Sequence, residues 1–165
     1  MYSGEHIESA MAEGNFGIVP TSIHIPSLNL SAFVESSGLN QDGELPVPLT
    51  GESAVWYSNT SKPGAIGNSV IAGHVDDFSG PALFFDLQHL LIGDEIIIEG
   101  EGGYTFTFEV VSIESYPRNS APISHIFGFS SKPQLNLITC HGVFDQKLGT
   151  HEERLVVYTT LAESQ

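Results

Sequence analysis

One cysteine in 165 residues excludes an internal disulfide framework and every Cys-x-x-Cys metal or redox motif. It leaves the compartment open, since secreted domains without disulfides occur. Cations are scarce too: Lys and Arg number five against twenty acids, a formal charge of −15. That balance argues against nucleic acid as a partner, because neutralising phosphates needs clustered Lys and Arg. It equally disfavours an electrostatic grip on anionic lipid. No run approaches the roughly 18–20 apolar residues that a membrane-spanning helix needs. The opening Met1-Tyr2-Ser3-Gly4-Glu5-His6 lacks the basic and apolar regions of a signal peptide. Yet 41% of the residues are hydrophobic, enough for one domain with a real core and too many for a disordered chain.

Residues 1–19 form a polar lead, in which residues 5–13 could make a short helix ended by Gly14. From Pro20 onward, short apolar runs alternate with Gly, Pro, Asn and Ser. Eight strands are expected, near residues 22–25, 31–35, 55–57, 68–72, 95–99, 104–116, 135–139 and 155–161. The sixth is clearest: Phe106, Phe108 and Val110 alternate with Thr105, Thr107 and Glu109. A hairpin turn at residues 100–103 joins it to the fifth. Residues 81–91 are expected to be a helix, with Pro81 at its start, Leu83, Leu87, Leu90 and Leu91 on one face, and Gly93 beyond its end. Residues 117–133 read as a long surface loop of the kind that often serves function. The fold class is therefore mainly β, a barrel or sandwich with one or two short helices.

Three residues could carry chemistry, each with a plainer alternative. Cys140 closes the run Leu135-Asn136-Leu137-Ile138-Thr139, at what reads as a strand end. It is either a small buried hydrophobe or a nucleophile presented to a groove. His74 closes Ser69-Val70-Ile71-Ala72-Gly73 and is either bonded to the backbone or to Asp76, or the acid and base for a cysteine nucleophile. Arg154 opens Leu155-Val156-Val157-Tyr158 and is either a solvated strand-end charge or a guanidinium fork for a peptide carbonyl or an oxyanion. Zinc at His74, Asp76, Cys140, His141 and His151 is weakly supported, because only Cys140 and His141 have close spacing and adjacent residues bind one ion poorly. Calcium at Asp76 and Asp77, or at Asp42 with Glu44, competes with the plainer reading of solvated loop acids. Neither metal is assigned, and no cofactor is expected apart from that option of calcium.

Together these residues resemble a sortase. The carrying motifs are Gly73-His74-Val75-Asp76, then Leu137-Ile138-Thr139-Cys140, then Arg154-Leu155-Val156-Val157-Tyr158. Ile23-His24-Ile25-Pro26, Trp56-Tyr57 and residues 63–74 are similar to the family's opening strand and its approach to the histidine. The Gly-His-Val-Asp piece and Gly80-Pro81-Ala82-Leu83-Phe84 look most like class F, with class D or E as alternatives. There is no class C lid motif and no large extra helix of class B.

The resemblance implies an eight-stranded β-barrel catalytic domain over residues 20–165, with residues 1–19 as a tag, linker or flap. It implies a cysteine transpeptidase at the outer face of a Gram-positive cell, a soluble ectodomain whose family members are tethered by a membrane anchor. The substrate would be an LPxTG-type sorting signal of surface proteins, cut between Thr and Gly through a thioester at Cys140. The acceptor would be an amine of a cell-wall precursor, or a pilin lysine in a polymerising enzyme. His74 would move the protons, Arg154 would hold the peptide backbone and the oxyanion, and Thr139 would assist substrate placement or the oxyanion site. Ile123, Ile126 and Phe127, in the long loop, would receive the signal's Leu and Pro. That loop and residues 141–153 would wall the groove.

Other readings fit less well. An L,D-transpeptidase-like enzyme places His-Gly before its cysteine, whereas Cys140 precedes His141-Gly142. Papain-like hydrolases usually place the cysteine upstream of the histidine, the reverse of His74 and Cys140. A non-catalytic β-barrel binding module would make Cys140 a buried thiol that resists alkylation.

Overall fold

Alternation along the apolar runs decides which side of each strand faces inward. The structure, a computed structural model, describes residues 17–38, 50–77 and 79–162. Its strands are β1 (Pro20–Ile25), β2 (Leu30–Ser37), β3 (Ala54–Tyr57), β4 (Gly67–Ala72), β5 (Asp76–Asp77), β6 (Gly80–Pro81), β7 (Glu95–Gly100), β8 (Thr105–Pro117), β9 (Pro133–Asp145) and β10 (Thr150–Leu161). Eight of them close a barrel in the order β1-β2-β3-β4-β9-β10-β8-β7. All eight expected strands are present. β5 and β6 form a separate two-stranded ladder that the sequence did not announce.

Within the barrel pack Ile23, Ile71, Phe84, Ile96, Ile98, Phe108, Leu135, Leu137 and Val157, all fully buried. The turn between β7 and β8 is as expected, with Gly102 and Gly103 at φ of 82° and 79°, a region that side-chain-bearing residues avoid. Two neighbouring pairs are parallel, β2 with β3 and β4 with β9. The second is the longer, running from Gly67 opposite Pro133 to Ala72 opposite Ile138.

Three expectations need correction. Residues 81–91 are not an α-helix: only a 3-10 helix, Phe85–His89, forms there. Ala82, Leu83 and Phe84 donate their backbone N–H groups to Val75, Gly51 and His74, which holds this stretch along other segments and leaves too few residues for a helix. Leu87 and Leu90 are still buried, whereas Leu91 is exposed. Residues 141–153 are not a loop either. β9 runs on to Asp145 and β10 begins at Thr150, so Cys140 lies inside a long hairpin rather than at a strand end. Residues 117–133 contain a helix, α1 (Ile123–Phe127). The expected helix at residues 5–13, Asp42 and Glu44 lie outside the described residues.

At five residues, α1 has no stability of its own. Two buried asparagines hold it. Asn136 donates its amide to Ile126 O at 2.8 Å and to Asn68 Oδ1 at 3.2 Å. Asn68 in turn donates to Gly128 O at 2.9 Å. These donors meet carbonyls at the helix C-terminus, which have no partner inside the helix. The Oδ1 of Asn136 is itself buried without a partner, which offsets part of the gain. Asn136→Ala should therefore lower stability by roughly 1–3 kcal/mol in urea unfolding, by stranding buried acceptors. Loss of α1 packing should appear as faster amide exchange confined to residues 123–128.

Candidate active site

The parallel register of β4 and β9 sets the site. Beyond Ala72 and Ile138, the ladder continues through a bond from Gly73 N to Ile138 O at 3.2 Å. Two residues past Ala72 is His74, just beyond the end of β4, and two past Ile138 is Cys140, still within β9, so the ladder stops two residues short of both. On the other side of β9, Cys140 pairs directly with Arg154 of β10. Strand alternation puts Cys140 and Arg154 on one face, the outside of the barrel. The three residues are half-buried, so each borders both protein and solvent.

Two further rows lie on the same face behind this one. Ala72, Ile138 and Val156 form the first, and Val70, Asn136 and Tyr158 the second. The apolar members join Val55, Tyr57 and Ile126 in a cluster distinct from the barrel interior, with Tyr116, Ala121 and Phe127 packed against it. Helix α1 covers the rear row, where His125 and Tyr158 rings lie 5.0 Å apart and Tyr57 and Phe127 rings 6.4 Å apart. From the rear row to Cys140 is four residues of strand, roughly 13 Å.

Each catalytic candidate is tied to its surroundings. Gly73 passes so close to Phe84 that a Cβ there would lie 2.6 Å from the ring, which explains glycine ahead of His74. The backbone oxygen of His74 accepts from Phe84 N at 2.9 Å. Arg154 donates Nη1 to His151 O at 2.9 Å and to Glu153 O at 3.0 Å, and Nη2 to Thr150 Oγ1 at 3.0 Å. Its fork is thus fixed along its own strand with N–H groups remaining for another acceptor. Asp76 meets His151, at 3.0 Å from Nε2. Ser79 donates its hydroxyl and N–H to Asp77, which holds that carboxyl below its ordinary value.

Thr139 differs from expectation. Its side chain is buried on the inward face, and its hydroxyl donates to Gly73 O at 2.8 Å. The hydroxyl therefore cannot meet a substrate bound at Cys140. It ties the strand of Cys140 to the residue before His74. Ile126 is also fully buried, packed between α1 and the sheet, so it supports the groove wall and does not contact a peptide. Ile123 is exposed and Phe127 half-buried. On the other flank, Val143, Phe144 and Leu148 of the β9–β10 hairpin are exposed. Asn68 and Asn136 were missed in the sequence; the signal was an amide placed inside an otherwise apolar strand.

Among the described residues, no three His, Cys, Asp or Glu side chains converge on a metal-sized site. No helix among them is long and apolar enough to cross a membrane. An open hollow of about 420 Å³ between Phe33 and Glu52 involves β1 and β2, across the barrel from β9 in strand order, and includes none of His74, Cys140 and Arg154.

The family model for the Sortase domain matches residues 23–162. Sortase A from Corynebacterium diphtheriae, as a lid mutant, superposes with a TM-score of 0.70 at 19% identity, over 99% of this chain and 82% of that one. Sortase C-1 from Actinomyces oris gives 0.69 at 21% identity, over 99% and 83%. No curated protein matches the chain.

Burial and the Tyr116 hydroxyl, 2.8 Å away, raise the pKa of Tyr158 well above its ordinary 10. A group whose pKa is raised on folding contributes stability that is complete below its unfolded value and declines above it. Melting temperature should therefore drop as pH passes 10, and drop less in Tyr158→Phe, as followed by circular dichroism. Thr139→Val, which keeps the shape but strands Gly73 O, should cost about 1–3 kcal/mol in urea unfolding.

Proposed function

The chain belongs to the sortase family, and from that premise we propose that it is a cysteine transpeptidase with His74, Cys140 and Arg154 as its catalytic residues. One observation carries the reading: Cys140 and Arg154 stand in one row across β9 and β10, on an outward face floored by apolar side chains, and His74 follows two residues after β4 leaves its ladder with β9. An arrangement of this kind supplies a nucleophile, a proton carrier and a cation on the frame of the barrel.

The reaction follows from that order. The Cys140 thiolate attacks the carbonyl carbon of the Thr in an LPxTG-type sorting signal. Arg154 donates to the oxygen that gains charge, the kind of preorganised donor most valuable where charge develops. The tetrahedral centre collapses, the bond to Gly breaks, and His74 protonates the departing amine. The Thr carbonyl is then held as a thioester on Cys140. An acceptor amine attacks it, His74 takes the amine proton, and the thiolate leaves as a new amide forms. Splitting one acyl transfer into two steps lowers each barrier.

The peptide lies over Ile138, with Ala72 and the fully buried Val156 packed to either side of it as support, between the wall carrying Ile123 and Phe127 and the hairpin carrying Val143 and Leu148. Thr139 acts at one remove, by holding Gly73 and so the start of the His74 segment. The setting is the outer face of a Gram-positive cell, with surface proteins as substrates and a cell-wall amine as acceptor. Gly73-His74-Val75-Asp76 and Gly80-Pro81-Ala82-Leu83-Phe84 support class F within the family. Calcium is no part of the reaction as written.

A fluorogenic sorting peptide, with and without an added amine, tests the reading. Turnover should vanish in Cys140→Ala and fall at least about a hundredfold in His74→Ala and in Arg154→Ala, the scale of losing a proton carrier or an oxyanion donor. Arg154→Lys should recover little, since a point charge does not reproduce the fork. Mass spectrometry should show the Thr carbonyl joined to the amine. Folded protein that turns over no sorting peptide, and whose Cys140 resists alkylation, would leave a binding module instead.

A further inference from the structure

His151 has no part in the reaction just described, yet it is buried and precisely held. The residue is 8% exposed, and its ring packs edge-on against Phe144, with centroids 5.2 Å apart. Its Nε2 lies 3.0 Å from Asp76 Oδ2, across 75 residues of sequence. The carboxylate can only accept, so the ring N–H at Nε2 is the donor. Asp76 is about half exposed, and the imidazole almost wholly enclosed.

The two ends of this bond are informative. Asp76 opens β5, two residues beyond His74. Past β4, that segment belongs to no barrel strand, and its ladder with β6 is two residues long. His151 lies at the start of β10, three residues before Arg154, and its carbonyl accepts Arg154 Nη1 at 2.9 Å. One side-chain bond therefore joins the segment that follows His74 to the backbone that seats the Arg154 guanidinium. Cys140 stands between the two in the strand order.

We propose that Asp76 and His151 are a positioning pair that sets the spacing of His74 from Arg154 across Cys140. The inference rests on the transpeptidase reading and adds to it two residues that touch no reacting atom. Positioning is costly to lose, because a displacement near 1 Å can lower a rate by about a hundredfold. Since the pair holds catalytic groups rather than peptide, the loss belongs to kcat more than to KM.

The test uses the full chain with a fluorogenic LPxTG-type peptide and an amine. Asp76→Ala and His151→Leu should each lower kcat about ten- to a hundredfold with KM within about twofold. The double variant should be no worse than either single one, because both remove the same bond. His151→Gln, whose amide N–H reaches as far as Nε2, should recover most of the rate, as should Asp76→Asn, which keeps an acceptor. A packing role would rank the His151 variants the other way, with the apolar Leu tolerated better than Gln. That ranking, or unchanged kcat in Asp76→Ala, overturns the proposal. Should His151→Leu fail to fold, Asp76→Ala against Asp76→Asn decides, since Asp76 is half exposed. A wild type without Cys140-dependent turnover removes the transpeptidase reading and this inference together; a working wild type matched by all variants removes this inference alone.

Discussion

The parallel ladder between β4 and β9 is the constraint on which the rest depends. It joins segments more than sixty residues apart, setting all of β4 beside residues 133–138 of β9. Parallel pairs need a crossover, and here the crossover is large: it contains β5 to β8, α1 and the 3-10 helix Phe85–His89. Once β4 is beside β9, the hairpin partner β10 follows by short-range pairing, with Arg154 opposite Cys140. Slipping the ladder by one residue would turn Cys140 into the barrel and Thr139 out of it. Register is resisted because both faces of β4 are buried and each has its own set of side chains.

That two-sided burial also explains why the sheet can hold a site at all. Ile71, Leu135 and Leu137 fill the barrel, while Val70, Ala72 and Val156 form a second apolar bed outside it. A sheet packed on both faces does not flex the way an edge does, and Cys140 and Arg154, the pair proposed to be catalytic, lie where the outer bed gives way to solvent. α1 covers the far end of the bed and is attached by hydrogen bonds from Asn68 and Asn136 more than by its own propensity.

Much of the barrel was legible because its strands are short apolar runs cut by turn residues, and period two survives at Phe106, Phe108 and Val110. The three candidates were singled out by residue type and by the resemblance, whereas the strand end read at Cys140 is absent, because β9 continues to Asp145. What was hidden depended on partners distant in sequence. Residues 81–91 carry a helical spacing of leucines, but backbone bonds to Gly51, His74 and Val75 override it. Thr139 looked like a neighbour of the chemistry because it precedes Cys140; alternation alone puts its side chain on the other face, and Gly73 O claims its hydroxyl. The continuation of β9 through His141-Gly142-Val143 was concealed by a glycine at φ of 78°, a backbone state usually read as a stop. Neither asparagine could be assigned a role before α1 was known to lie over them.

The order of the strands in the chain has a consequence for synthesis. β1 to β4 emerge from the ribosome long before β9, and until residues 133–138 follow, β4 has no neighbour on that side and its apolar faces lack their cover. β7 and β8 can zip locally as a hairpin in that interval, but the barrel seam cannot close. Cys140 is therefore made late, with only β10 and its Arg154 still to follow before the barrel can close. A translation product cut short of residue 133 holds a histidine with nothing to act on, and a sticky strand that chaperones would have to shield.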